Sequence, residues 1–180
     1  MKSSLACPPR LSAALLIVVI GALVACSPAL NWREIRPPDS VVTAMFPCKP
    51  DHHSRRVTVA GGELAMQLSS CTASDAVYAL SRINTGQADR VTPVLEALRQ
   101  AAMENIGGPT SVKGVQSVPG MAPHPLAQRL AWSGARADGS PIAAQATFFT
   151  QGTQVYQATV VSTRLDAEAV DTFFSGLKLP

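Results

Sequence analysis

The sequence lacks the short motifs that mark the most common catalytic sites. It contains no Gly-x-Ser-x-Gly segment, so a nucleophilic serine on a strand-to-helix elbow is not predicted. Gly107 and Gly108 are not followed by Gly-Lys-Ser/Thr at the spacing of a phosphate-binding loop, and they favour the end of a helix instead. His124 stands between two prolines in a predicted loop, and nothing in the pattern indicates a catalytic triad around it. We therefore expect no enzyme activity.

A large excess of charge of one sign is also missing. The full chain has 15 Lys and Arg residues against 12 Asp and Glu residues. Lys2 and Arg10 lie in the segment that we expect to be removed, so the remaining balance is 13 basic against 12 acidic residues. No predicted helix combines basic and aromatic residues in the manner of a nucleic-acid interface. We therefore expect no nucleic-acid partner. Repeats of solenoid length and low-complexity tracts are absent from the sequence as well.

The first 25 residues have the organisation of an export signal. The first ten carry Lys2 and Arg10 and no acidic residue, residues 11–24 are almost all apolar, and Ala25 is a small residue at a cleavage position. The apolar run is shorter than the ~20 residues that a transmembrane helix needs. It therefore favours a cleaved signal over an uncleaved anchor.

Residues 23–26, Leu-Val-Ala-Cys, resemble the lipobox of bacterial lipoproteins. The resemblance implies that the Cys26 thiol receives diacylglycerol and that Cys26 becomes the mature N-terminus. Two or more acyl chains hold a protein stably at a membrane, since each buried methylene contributes about 0.8 kcal/mol. Ser27 follows in place of the Asp that retains such proteins at the inner membrane. The expected location is therefore the outer membrane, facing the periplasm. A plain secretory signal and an uncleaved anchor are the alternatives.

The length of the chain predicts one folded unit. Removal of residues 1–25 from the 180-residue chain leaves 155 residues, the size of one ordinary domain. Residues 26–39 are predicted to form a tether and lead-in segment, because three prolines there resist regular structure. Trp32 is expected to dock this segment onto the domain, with stacking on a ligand as the alternative. Residues 40–180 are then a single α+β domain.

Two cysteines are expected to remain available in the domain, because Cys7 leaves with the signal and Cys26 takes lipid. An even pair in an oxidising compartment favours a disulfide between Cys48 and Cys71. The bridge would close a loop of about 24 residues and stabilise the fold by about 3 kcal/mol. Two buried, reduced thiols are the alternative. In a meander, the first and third strands lie about 9.6 Å apart, beyond the roughly 7 Å that a bridge allows between Cα atoms. The bridge therefore requires bent loops or adjacent first and third strands.

The spacing of apolar residues predicts many strands and two helices. Gly61 and Gly62 favour a two-residue hairpin turn, and Thr92 with Pro93 favours the start of an amphipathic helix. Asp166 favours the cap of a second helix. The predicted strands are residues 41–46, 56–60, 63–70, 76–83, 111–118, 127–134, 142–150 and 153–161. This order predicts an α+β fold with a mainly antiparallel sheet flanked by helices.

The closing part of the chain resembles the Mog1/PsbP-like α/β/α sandwich. The resemblance rests on residues 148–161 and 173–179, which match a strand, a tight turn, a strand with a Tyr and a last helix. Residues 41–50 match the opening strand of that group, which runs into Phe-Pro and a second proline. Pro-Cys-Lys-Pro at residues 47–50, with a second cysteine downstream, also resembles a set of bacterial lipoproteins. These resemblances imply an accessory, assembly or binding role without catalytic residues.

The densest set of polar side chains lies in residues 48–56, Cys-Lys-Pro-Asp-His-His-Ser-Arg-Arg. His52 and His53, with the nearby Cys and Asp, are ligand types for zinc or copper. Neighbouring residues of an extended chain point in opposite directions, however, which disfavours a shared metal site. Arg55 and Arg56 fit an anionic headgroup or a phosphate instead. A solvated loop between strands is the third alternative.

Together these observations predict a lipid-anchored cell-envelope protein with a non-catalytic interaction or accessory role. Its expected partners are the membrane, through acylated Cys26, and an envelope protein. We expect no cofactor and no metal. The alternative function is a small-ligand or metal binder that uses residues 48–56.

Overall fold

The structure is a computed structural model of the chain, and it describes residues 30–106, 109–115, 117–136 and 138–180. The predicted signal, Cys26 and the two glycines of the predicted helix stop lie outside these ranges. Within the described ranges, no helix is long and apolar enough to cross a membrane.

Strands and two α-helices make up the described part of the chain. The strands are β1 (Arg33–Ile35), β2 (Ala44–Phe46), β3 (Asp51–Val59), β4 (Gly62–Ala73), β5 (Ala76–Asn84), β6 (Thr110–Val115), β7 (Gln128–Ala135), β8 (Pro141–Gln151) and β9 (Gln154–Ser162). The helices are α1 (Val91–Ile106), which follows a 3-10 helix at Ala88–Arg90, and α2 (Ala167–Ser175). The predicted α+β class with a mainly antiparallel sheet is confirmed.

Seven of the strands form one antiparallel sheet in the order β3-β4-β5-β9-β8-β7-β6. Two groups of consecutive strands, β3 to β5 and β6 to β9, meet in its middle. There β5 pairs with β9 from Ala76 and Ser162 at one end to Asn84 and Gln154 at the other. The strands β1 and β2 form a separate two-stranded sheet.

The large sheet separates two hydrophobic clusters, one on each face. Successive side chains of a strand point to opposite faces, so the neighbouring Phe148 and Phe149 of β8 enter different clusters, and both are fully buried. The Phe149 cluster, called the first face here, is covered by β2 and by α2 through Phe173. The second face is covered by α1 through Val94 and Leu95. The two helices therefore lie on opposite faces of the sheet.

Helix α1 begins earlier than the sequence predicts. The 3-10 helix continues into Val91, whose backbone is already α-helical at φ −61° and ψ −52°. Thr92 is therefore inside the helix, and the prediction that it caps the helix is wrong. Its hydroxyl instead lies 3.0 Å from Nε2 of His124, at hydrogen-bonding distance. The predicted apolar stripe does face the sheet.

Helix α2 begins where the sequence predicts. The backbone N–H of Ala169 donates a hydrogen bond to Oδ1 of Asp166 at 2.9 Å, which confirms Asp166 as the N-cap. Val170, Phe173 and Phe174 are buried on the side that faces the sheet. The cap and the apolar side together fix the helix on the first face.

The predicted first strand, residues 41–46, is shorter than expected and lies outside the large sheet. Only Ala44–Phe46 forms β2, and it pairs with β1. No strand was predicted for Arg33–Ile35, because the prolines of the lead-in segment argue against regular structure. The apolar Leu30 and Trp32 explain the strand, since they pack against the first-face cluster and hold this part of the chain on the domain.

The first hairpin turns one residue earlier than predicted. Val59 pairs with Gly62, so Ala60 and Gly61 form the turn, and the predicted Gly61–Gly62 turn is wrong. Ala60 and Gly61 both have positive φ, 49° and 72°, as a type I′ turn requires. Gly62 lies in β4 beside Arg90, and a Cβ atom at Gly62 would lie 2.6 Å from an Arg90 guanidinium nitrogen. A larger residue at position 62 would therefore have to displace only the end of the Arg90 side chain.

Candidate functional site

The polar segment, residues 48–56, is not the solvated loop between strands that was the third alternative for its sequence. Its residues from Asp51 onwards belong to β3, which pairs with β4 over nine positions, from Asp51 and Ser70 to Val59 and Gly62. Strand β3 is an edge strand of the large sheet. An edge strand whose side chains remain exposed tolerates a charged sequence, and such charges discourage pairing with other chains. The polar composition is therefore compatible with a strand.

The pleat of β3 divides the predicted ligand residues between the two faces of the sheet. His52 pairs with Ser69 on the first face, while His53 and Arg55 lie on the second face. Arg56 is exposed and makes an ion pair with Glu63 at 3.7 Å. The structure therefore does not bring the four candidate side chains together. Among the described residues, no three His, Cys, Asp or Glu side chains lie together as a metal site.

A pocket of about 180 Å³ lies on the first face, between strands β3 to β5 and the end of the lead-in segment. We call it the Arg82 pocket. Its lining residues are Pro37, Pro38, Asp39, Ser40, Val42, His52, His53, Ser54, Gln67, Leu68, Ser69, Leu80 and Arg82. The sheet contributes most of the polar groups, and the prolines with Val42 contribute an apolar wall. Of the predicted site residues, His52 borders this pocket from the first face, and His53 borders it as the next residue of the edge strand although its side chain belongs to the second face. Arg55 and Arg56 do not border it.

Arg82 is a partly buried cation on β5, and its described partners are uncharged. Its Nε donates to Oε1 of Gln67 at 2.8 Å, one terminal nitrogen donates to Oε1 of Gln154 at 3.1 Å, and the other also donates to Gln67. None of the described ion pairs includes Arg82. Gln67 in turn donates to Oδ2 of Asp39 at 3.4 Å. A chain of contacts therefore joins the rim of the pocket to the guanidinium.

His52 and Ser69 form a cross-strand pair in the same pocket. The Nδ1 atom of His52 lies 2.8 Å from Oγ of Ser69, which is 4% exposed. A serine hydrogen-bonded to a histidine is part of a catalytic triad, but no described hydrogen bond joins His52 to a carboxylate. Ser69 also lies in mid-strand, where β4 is paired on both sides and its backbone N–H groups are used in the sheet. The pair therefore adds a hydroxyl and an imidazole to the polar groups that line the pocket.

Tyr156 lies beneath these polar groups, with its ring stacked on Phe149 at 4.9 Å between centroids. Its hydroxyl is buried and has no well-formed hydrogen bond to any described residue. Burial raises the pKa of Tyr156, while the neighbouring Ser40 hydroxyl and the charge of Arg82 act in the opposite direction. The phenol is therefore protonated at neutral pH, next to two residues that line the pocket.

Cys48 and Cys71 lie in a geometry compatible with the predicted disulfide, with their Sγ atoms 2.07 Å apart and their Cα atoms 6.0 Å apart. The predicted meander, in which the first and third strands would lie too far apart for the bridge, is wrong, because β2 is not a strand of the large sheet. Cys48 follows the small sheet, and Cys71 lies in β4 opposite Tyr78, on the first face. The pair therefore connects two layers of the fold.

Four polar residues of the pocket were not predicted from the sequence: Arg82, Gln67 and Ser69 on the sheet, and Asp39 at the rim. One of them carries a signal in the sequence. Every second position of β5 points to the first face, and these positions hold Tyr78, Leu80 and Arg82. Arg82 therefore places a charged side chain where the periodicity of the strand predicts an apolar one.

Comparisons of the chain with models of known protein families, with curated proteins and with solved structures found no match. The described part of the chain is therefore characterised by its architecture alone. It is an α+β domain in which an antiparallel sheet lies between two helices and carries a small pocket on one face.

Proposed function

We propose that the protein is a bacterial lipoprotein, cleaved before Cys26 and anchored in the cell envelope by acyl chains on that cysteine. The observation that carries the proposal is Leu-Val-Ala-Cys at residues 23–26, after a basic end and an apolar run. The disulfide-compatible pair of Cys48 and Cys71 supports an oxidising compartment. Ser27, in place of Asp, favours the outer membrane facing the periplasm.

The packing of the lead-in segment gives this proposal a geometric consequence. Leu30 packs against the first-face cluster, and the N–H of Asn31 donates to the carbonyl of Pro47 at 2.8 Å. Only residues 27–29 then separate the anchor on Cys26 from Leu30. The four residue steps from Cys26 to Leu30 span at most about 14 Å when fully extended. The acylated protein would therefore hold its domain directly at the membrane surface.

The proposal is tested by the intact mass of the full-length protein, produced in a bacterium with two membranes and extracted in detergent. We expect the mass of residues 26–180 plus acyl groups, less two hydrogens for the disulfide. The Cys26→Ser variant is the matched control and should carry no acyl group. A wild-type mass equal to the bare chain or to the uncleaved precursor would rule out the lipid anchor.

We extend the proposal to the fold family and to a non-catalytic role as an accessory or interaction module with an envelope protein partner. The helices on opposite faces of the sheet and the closing order β8, β9 and α2 support a Mog1/PsbP-like sandwich. A photoreactive residue in place of Ser54, at the pocket, should give a discrete crosslinked product in envelopes. The same residue in place of Glu168, exposed on α2, is the control. Equal products from both positions would argue against a partner at the pocket.

A small-ligand binder is the second candidate function, and the Arg82 pocket favours it. The pocket combines a cation, a Ser–His pair and an apolar wall, the combination of groups that orients small molecules. A metal is not part of this candidate, since His52 and His53 lie on opposite faces. Native mass spectrometry of protein extracted from envelopes should show a bound small molecule that is lost on denaturation. Protein that carries no such mass would count against this candidate.

A further inference from the structure

We propose that the Arg82 pocket binds a small organic carboxylate, with the guanidinium of Arg82 as the group that holds the carboxylate. The proposal rests on the second candidate function and adds the chemical class of the ligand. It does not depend on the lipid anchor.

Arg82 has unused hydrogen-bonding capacity. A guanidinium has five N–H donors, and the described bonds of Arg82 use three of them, two to Gln67 and one to Gln154. Two N–H groups are left for a ligand. Both partners are neutral amides, so they satisfy donors without neutralising the charge.

The charge of Arg82 has no opposite charge in any described ion pair. A partly buried cation is destabilising unless a charge or a full set of hydrogen bonds compensates it. Asp39, the acidic residue among those that line the pocket, is exposed and bonds to Gln67, not to Arg82. A carboxylate is the anion that best matches the planar fork of a guanidinium, because it accepts two parallel hydrogen bonds. Gln67 and Gln154 already hold the fork in position, which lowers the entropic cost of binding.

The volume and the lining of the pocket fit a small molecule. The volume of about 180 Å³ is close to the ~150 Å³ of an engineered cavity that binds benzene. The ligand is therefore a molecule of a few carbon atoms. Pro37, Val42 and Leu80 provide apolar surface for its body. Asp39 at the rim would in addition attract an ammonium group, so the ligand is either a plain carboxylate or an amino acid.

The test is a titration of the purified full-length protein in detergent, followed by protein NMR, with butanoate, butanamide and 2-aminobutanoate. Butanamide has the shape of butanoate without its charge. We expect butanoate to bind in the range of about 0.1–10 mM, as suits six non-hydrogen atoms. Butanamide should bind at least about tenfold more weakly, because a hydrogen bond from Arg82 to a charged carboxylate is stronger than one from Arg82 to a neutral amide. Tighter binding of 2-aminobutanoate than of butanoate would identify the amino acid as the source of the carboxylate.

Two variants and a control locate the site. Arg82→Gln should weaken butanoate binding at least about tenfold. Arg164→Gln removes the same charge two residues beyond Ser162, at the end of the sheet opposite Arg82, and should bind as the wild type does. Ser54→Trp fills the pocket from the exposed edge strand and should abolish binding without a change in the core. Thermal unfolding of each variant verifies that it is folded.

The results of these titrations test the chemical class of the ligand and the position of the binding site separately. Unchanged butanoate affinity in Arg82→Gln overturns the proposal. Equal binding of butanoate and butanamide, both lost in Ser54→Trp, leaves the pocket as a ligand site but shows that carboxylate is the wrong class. Absence of binding by all three probes overturns the proposal and counts against the second candidate function as well.

Discussion

Single polar residues at inward positions determine the chemistry of the first face. Arg82 follows two buried residues on the same side of β5, and Tyr156 lies on the neighbouring strand β9, opposite Arg82 in the register. Three buried polar atoms lack partners among the described residues, and the Tyr156 hydroxyl is one of them. A hydroxyl in this position contributes little to the stability of the fold, because it has lost water without a strong hydrogen bond. It does make the fold sensitive to pH.

We expect the protein to lose stability above about pH 10. Burial raises the pKa of Tyr156, and burial together with the charge of Asp166 raises the pKa of Tyr78, both from an ordinary value of 10.0. The unfolded chain therefore releases these protons at lower pH than the folded protein does. Their contribution to stability is complete below pH 10 and is lost as the pH rises towards the folded pKa values. Urea unfolding at a series of pH values from 8 to about 11.5 measures the loss.

The Tyr156→Phe variant separates this effect from other alkaline titrations. It should have a shallower fall in the free energy of unfolding above pH 10 and a stability within about 1 kcal/mol of the wild type at pH 8. The Tyr78→Phe variant should reduce the fall in the same way. A pH profile that neither substitution changes would show that the two phenols do not contribute to the alkaline loss.

At the scale of elements, the sequence predicts best where strands are rich in apolar residues. The strands β5, β7, β8 and β9 begin and end within one residue of their predicted positions, because each contains several apolar residues that the two faces of the sheet bury. Helix α2 was predicted with its cap. Strand β3 was predicted only in part, since its first five residues are polar on both faces and pairing with β4 determines its conformation. Strand β1 has three residues and depends on its pairing with β2 and on the packing of Leu30 and Trp32.

The candidate site could be predicted only in part for a related reason. The sequence drew attention to His52 and His53 because polar residues are dense around them. The pocket is built from several elements, and three of them supply Arg82, Gln67 and the rim residue Asp39. Their convergence depends on strand register and on where the lead-in segment crosses the first face. Neither is encoded by local spacing, so the sequence pointed to the edge of the pocket and not to its cation.

The first hairpin provides a test of turn chemistry at the element scale. Ala60 has φ +49° in a type I′ turn, a conformation that costs an L-residue about 1–2 kcal/mol and that Asn adopts more readily. We expect Ala60→Asn to raise the free energy of unfolding by about 0.5–1 kcal/mol, measured by urea denaturation. Gly61→Ala has φ +72° and no atom within 4 Å of the added Cβ, so it should lower stability by about 1 kcal/mol through the backbone alone. A loss of stability in Ala60→Asn would contradict the assigned turn.

At the scale of the whole molecule, the Cys48–Cys71 pair joins the layer formed by β1 and β2 to the large sheet. The two cysteines are 23 positions apart in the sequence, and a loop of that length gains about 3 kcal/mol from cross-linking in the chain-entropy account. We expect the double variant Cys48→Ser/Cys71→Ser to unfold with a free energy lower by about that amount. Addition of a reductant should destabilise the wild type to a similar extent and leave the double variant unchanged. Wild-type stability that does not respond to the reductant would show that the bridge is not formed.

The short link between Cys26 and Leu30 leads to a prediction about how the acylated molecule stands on a membrane. Trp32 is six residues from the proposed anchor, a distance of at most about 21 Å. Trp132, the other of the two tryptophans, is buried on the second face beneath α1. In proteoliposomes with a nitroxide quencher on the lipid headgroups, the Trp132→Phe variant should show strong quenching of Trp32. The Trp32→Phe variant should show weak quenching of Trp132.

A flexible linker supplies the control, because it changes only the distance from the membrane. About 20 Gly and Ser residues inserted after Pro28 span roughly 25 Å on average, so the linker should reduce the quenching of Trp32 towards that of Trp132. The intact mass of each preparation establishes that the protein is acylated before the fluorescence is compared. If acylated protein without the linker shows no more quenching of Trp32 than protein with it, the domain does not stand at the membrane surface. The packing of Leu30 would then have to be released when the anchor is inserted.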